Sequence, residues 1–186
     1  CLLSRGLGDV YKRQRLQRVQ RWLAKGNQAE GARLQELLDW DTRWPWAAYG
    51  GLVQDAADAG TPLFGGNLSR AEVNALLAST EGVRFPVAAA RQRLSAVVLA
   101  QHADAAPMLE GMLAVQQARD TRMAQVLLDA PAPALLVAGR WHVLRGTGVP
   151  GYLSPATPAL VIALAPPGET VDAADADLLW VLDDEL

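Results

Sequence analysis

Residues 131–142 read PAPALLVAGRWH, and this stretch decides the fold. Pro131 and Pro133 cannot sit inside a helix, because each lacks a main-chain N–H and its ring crowds the preceding turn. Ala134–Ala138 then make a short apolar run closed by Gly139. A run of this length without alternating polar positions predicts a strand buried on both faces, as in a parallel sheet. Three more runs carry the same signal: TPLFG at 61–65, ALVIALA at 159–165 and DLLWVL at 177–182.

Helical spacing fills the intervals. Leu16, Val19, Trp22 and Leu23, then Leu34, Leu37 and Leu38, fall three and four apart. The glycines at 26 and 31 divide them into two helices. Pro45 suits the first turn of a third helix running to about Ala59, with Gly60 as its stop. NLSRAEVNALLAS opens another, with Asn67 or Ser69 as N-cap, and a further helix is expected from about Ala88 to Gln101. The strongest helical stripe is Leu109, Met112, Leu113, Gln116, Asp120, Met123 and Leu127. Strands alternating with helices predict an α/β fold, a mainly parallel sheet flanked by helices.

The first fourteen residues, CLLSRGLGDVYKRQ, stand apart. DVYKRQ reads as a translated sequencing-library adapter, and CLLSRGLG fits the same read-through. Residues 1–14 are therefore expected to be non-native and residues 15–186 to form one partial domain. Cys1, the sole cysteine, lies in the excluded segment, so no disulfide framework, cysteine zinc site or thiol nucleophile is expected. The formal net charge of −3, without a basic patch interleaved with aromatics, argues against nucleic acid as a partner. No apolar run reaches the roughly 18–20 residues of a membrane span.

Three constellations carry chemistry. In Gly139–His142, GRWH, a glycine follows a strand and lets the chain turn, and the histidine three residues on can face back over the strand end. Ligands of open α/β sheets bind at such ends. Neutral imidazole binds zinc, iron or haem and serves as a base near neutral pH; the plain alternative is a core histidine satisfied by one hydrogen bond. In GGNLSR, residues 65–70, Asn67, Ser69 and the first helical amides suit an anion, and Arg70 suits a carboxylate or phosphate. Ordinary capping is the alternative there. Both loops should open on the same edge of the sheet. In QQARD, residues 116–120, Gln116 and Asp120 share the core-facing stripe, so the carboxylate needs a partner; Arg70, Arg119 or a helix-terminal amide is expected to supply it. His102 reads as a helix-end histidine. Trp44, Trp46 and Tyr49 read first as core, although haem iron accepts tyrosine as well as histidine.

Taken in order, LDWDTRWPWAAYGGLV, GTPLFGGNLSR, MLAVQQARDTRMAQVLL, LLVAGRWHVLRGTGVPGYL and PPGETVDAADADLLWVL resemble the ChaN-like family of haem-binding, iron-regulated bacterial lipoproteins. The resemblance implies a periplasm-facing or outer-membrane-attached protein that captures or stores haem without breaking a bond. It implies His142 and Tyr49 as candidate iron or pocket ligands and Arg70 as the partner of a haem propionate. Gly139, Asn67, Gln116, Asp120 and His102 would support the pocket. A homodimer and an outer-membrane haem or iron receptor are the partners it suggests. The same fold group includes proteins similar to the Tiki and erythromycin-esterase families, which share a Gly-x-x-His motif, here Gly139–His142. That kinship carries the alternative of a metal-dependent hydrolase, with His142 on a divalent ion; a non-catalytic scaffold is the third reading. The family usually begins with a strand ending in Gly-Glu-x-His. No such motif occurs here, so the sheet is expected to be incomplete, with an exposed strand edge and reduced stability. Arg140-Trp141 and Ala103 also depart from the family pattern, beside His142 and His102 respectively.

Overall fold

The structure, a computed structural model, describes residues 2–3, 10–23, 25–42, 44–78, 84–101 and 106–182. The chain divides into two compact units, one of residues 1–70 with 125–137 and the other of residues 71–124 with 138–186.

In the first unit, β1 (Leu2–Leu3) lies between β2 (Phe64–Gly65) and β3 (Leu136–Val137), parallel to both. The central strand comes from the segment with the adapter-like sequence; ladder bonds are main-chain bonds, so two leucines serve there whatever their origin. Among the described residues, α1 (Val10–Leu23), α2 (Gly31–Leu38) and α3 (Trp46–Asp58) precede β2. Asp39, left-handed at φ 53°, ends α2 and donates its N–H back into the last turn. Gly60, at φ 64°, ends α3 as its position predicts. The apolar stripes read from the sequence meet in one core of Leu16, Val19, Leu34, Leu38, Trp40, Val53 and Leu63. Trp44, Trp46 and Tyr49 pack against that core.

The second unit holds α5 (Ala90–Gln101), α7 (Arg140–Val143), β4 (Ile162–Ala165) and β5 (Leu178–Val181), with most of α4 (Arg70–Leu77) and of α6 (Leu109–Asp129). β4 and β5 pair in parallel, with Ile162 opposite Leu178 and Leu164 opposite Trp180. Leu144, Val161, Ala163 and Ala176 form a small core under β4. Gly111 lets α6 approach the end of α4, where a Cβ would meet the Leu77 backbone.

Among the described residues all three strand pairings are parallel, as the sequence predicts, but burial differs from the expectation in two places. β3 keeps two of its five predicted residues, is half-buried, and leaves Leu135 56% exposed. Among the described residues it is an edge strand with one neighbour, and the prolines before it donate no ladder bond. β4 and β5, also read as buried, cover one face of β4 alone. Ala163 and Ala165 are buried, whereas Leu160, Ile162, Leu164, Leu178 and Trp180 are exposed. Among the described residues these strands make their own two-stranded sheet, which has no second layer over its outer face.

Candidate functional site

The second unit gathers the polar residues of the α6 stripe around one histidine. Gln116 and Asp120 lie one turn apart on α6, so both side chains leave the helix on the same side. The single turn α7 is closed by the His142 N–H donating to the Gly139 carbonyl at 2.8 Å, and it turns the imidazole inward. His142 is 4% exposed and Asp120 0%. Nδ1 of His142 lies 2.5 Å from Oδ1 of Asp120 and 3.0 Å from the Gln116 amide nitrogen. That amide also donates to Oδ2 of Asp120 at 3.3 Å.

The electrostatics follow from burial. Loss of water raises the Asp120 carboxyl above its ordinary range, while hydrogen bonding and charge from His142 pull it back without cancelling the rise. Gln116 and the Arg119 charge act in the same downward direction. Tyr152, on the 3₁₀ turn Val149–Tyr152, has a buried hydroxyl with no hydrogen-bond partner among the described residues. Burial, and then the charge of Asp120, push its phenol above the ordinary tyrosine range.

The chain after His142 doubles back and fixes it. Thr147 donates its hydroxyl to the Trp141 carbonyl at 3.0 Å, and the Gly148 N–H donates to the Leu144 carbonyl at 2.8 Å. A Cβ at Gly148 would fall on the main-chain carbonyl of His142, so glycine is a packing requirement. Asp175 anchors the same loop: it accepts from the Gly146 N–H at 2.7 Å and from both Arg93 Nη atoms at 3.1 and 2.5 Å. Arg140 lies over the Trp141 ring at 5.5 Å and pairs with Glu169.

Gln116, Asp120, Gly139 and His142 are thus placed in one unit, the first, second and fourth in direct contact. Two expectations need correction. The partner of Asp120 is His142 with Gln116, rather than Arg70 or a helix-terminal amide, and Arg119 contributes through its charge. Gly139 has φ −60° and ψ 150°, extended backbone open to any residue, so the turn into α7 does not need a glycine.

The other predicted residues belong to the first unit, apart from His102, which lies outside the described residues. Tyr49 packs edge-on against Trp44 at 5.3 Å and tilted over Trp40 at 6.2 Å, a core role. Asn67 accepts the Leu68 N–H at 2.8 Å. Arg70 is exposed at the start of α4. β2 and β3 run parallel beside β1, so Gly65 and Val137 end at the same sheet edge, as expected. Tyr152 and Gly148 escaped the sequence reading. The one signal was glycine at 146, 148 and 151, a density that marks a chain doubling back.

The first unit also has a cleft of about 510 Å³ between α1 and the segment after α3, lined by Gln20, Arg21, Asp58, Thr61 and Leu63 among others. Among the described residues its lining holds no histidine, tyrosine, cysteine or methionine that could serve a haem iron. Among the described residues no three His, Cys, Asp or Glu side chains converge to hold a metal ion.

Comparison with known proteins agrees with this frame. A family model described as "Haem-binding uptake, Tiki superfamily, ChaN" matches residues 10–153. A solved structure of ChaN of Campylobacter jejuni, described for cofacial haem binding, superposes with a TM-score of 0.79 at 23% identity. The match covers 95% of this chain and 71% of that one. No curated protein matches the chain.

Proposed function

The chain belongs to the haem-binding uptake family of the Tiki superfamily, ChaN, and we propose that it binds haem for bacterial iron uptake or storage through the pocket around His142. The buried Asp120–His142 pair carries this reading. An imidazole whose Nδ1 is held by a carboxylate is the arrangement that supports histidine at a metal, because the second nitrogen is left to the iron. The donor set fits: the same unit holds Tyr152, whose buried phenol oxygen feels the Asp120 charge and has no hydrogen-bond partner among the described residues. When bound, haem supplies its iron as the acceptor of a protein ligand; this chain's residues bind and orient it. His142 is the first candidate ligand. Gly139 supports its turn, and Tyr49, Arg70 and Asn67, in the first unit, stay as separate candidates for haem contact that draw on family resemblance.

His142 shows only 4% of its surface, so haem reaches it when the neighbouring chain gives way. Haem entry is then expected to quench Trp141, which lies next to His142 in sequence. A periplasmic or outer-membrane location, a lipid anchor, a homodimer and a membrane receptor are further parts of the proposal and draw on family resemblance. No described helix is long and apolar enough to cross a membrane.

The test is a haem titration of the wild-type chain beside His142→Ala, followed by Soret absorbance. A saturable shift that weakens in the variant supports the reading. A shift of equal strength in both moves the iron to another ligand, and a flat titration of the wild type defeats haem binding. The metal-dependent hydrolase alternative gains ground in that last case, and activity that needs a divalent ion and falls to a chelator would then establish it.

A further inference from the structure

Asp120 lies at the bottom of the site with nothing exposed, and charge alone does not explain its placement. We infer that Asp120 is a positioning residue: it keeps the proton of neutral His142 on Nδ1, so that Nε2 presents its lone pair to whatever the pocket binds. This rests on the haem reading for its ligand but not for its geometry.

Oδ1 of Asp120 and Nδ1 of His142 are 2.5 Å apart. Two lone pairs do not approach so closely, so a proton lies between them. Carboxylate and neutral ring share one proton, and passing it to oxygen would leave the ring an imidazolate anion, so it stays on nitrogen. The Gln116 amide, 3.0 Å from Nδ1, then finds no lone pair there and donates instead to Oδ2 of Asp120 at 3.3 Å. Each carboxylate oxygen receives one donor, which is what a buried charge requires. If the tautomer were reversed, with the proton on Nε2, carboxylate and ring would face each other without a bridging hydrogen.

Gly148 and Thr147 hold the main chain behind the ring. The carboxylate sets which nitrogen is free, and the backbone sets where it points. Asp120→Asn tests the first role with almost no change of shape. An asparagine amide donates to Nδ1, which then becomes the acceptor, and the ring proton moves to Nε2.

The measurement is ¹⁵N NMR of the imidazole rings at a pH where they are neutral. The chain has two histidines, assigned with His142→Ala. The wild type should show Nδ1 protonated and Nε2 bare for His142, and Asp120→Asn should invert this. A wild-type His142 with its proton on Nε2 overturns the inference, even if the variant fails to fold, and so does an unchanged tautomer in a folded variant. A parallel haem titration should show affinity falling about 10- to 100-fold in Asp120→Asn, the usual loss when the support of a metal-ligating histidine is removed. An inverted tautomer with haem affinity untouched in both Asp120→Asn and His142→Ala would uphold the positioning role and defeat His142 as haem ligand.

Discussion

Asp120 and His142, twenty-two positions apart in sequence, form a buried hydrogen-bonded pair with their polar atoms 2.5 Å apart. They come from two elements of different kinds, the middle of the long helix α6 and the one-turn helix α7. Removing one partner leaves the other polar and unsatisfied in the interior. Asp120→Ala is expected to lower unfolding stability by about 3 kcal/mol. Replacing both, Asp120→Leu with His142→Phe, should recover most of that loss. Urea midpoints of the single and double variants decide it; a double variant no better than the single would mean that packing, and not the unpaired group, sets the cost.

Acid should act on the second unit through Asp175. Arg93, by hydrogen bond and charge, and the Gly146 N–H hold its carboxyl below the usual range, against the opposing effect of burial. A carboxyl depressed in the folded state stabilises above its unfolded value, near 4, and that contribution is lost as pH falls through the folded value. Asp120 has the opposite sign: its raised carboxyl costs stability above its folded value, and protonation relieves the cost. Stability measured by denaturant between pH 6 and pH 2.5 should therefore fall below about pH 4, less steeply in Asp175→Asn. Parallel curves would remove Asp175 from the acid response.

Gly148→Ala should be damaging although alanine is the smallest possible change. The added Cβ meets the main-chain carbonyl of His142, which cannot rotate away as a side chain would. A loss of about 1–3 kcal/mol is expected from such overpacking, with weaker haem binding because His142 itself must shift. A neutral effect in both thermal unfolding and haem titration would show that the loop has room to adjust.

The outer face of β4 and β5 carries Ile162, Leu164, Leu178 and Trp180, all exposed. Contiguous apolar surface with an open strand edge invites association. Leu164→Lys with Trp180→Glu places opposite charges on a paired position. It should reduce light scattering on concentration while changing unfolding stability by no more than about 0.5 kcal/mol. Unchanged scattering would locate the sticky surface elsewhere.

Much of the architecture was legible in residue spacing. Leu16 and Val19 on one helix and Leu34 and Leu38 on the next repeat at three and four, and all four are buried. Pro45 and Gly60 mark the ends of α3, which runs from Trp46 to Asp58, to within two residues. These are local effects, set by main-chain geometry and by which side of a helix a residue occupies. His142 and Asp120 were also visible as candidates, because an ionisable residue on an apolar stripe or after a strand demands an explanation.

What the sequence could not determine is what each element packs against. ALVIALA and DLLWVL are as apolar as a buried strand, yet they lie at an exposed sheet face, because burial depends on a neighbouring layer that a strand does not encode. Composition and spacing point to an arginine or a helix-terminal amide as the partner of Asp120; the imidazole that meets it is set by the fold of α7. Tyr152 became part of the site through a turn that three glycines allow but do not aim. The sequence by itself determined the helices, the parallel strands and the buried polar residues, because period and main-chain chemistry are local. Only the tertiary structure decided which polar groups meet, since a hydrogen bond between distant residues depends on distances that no spacing along the chain contains.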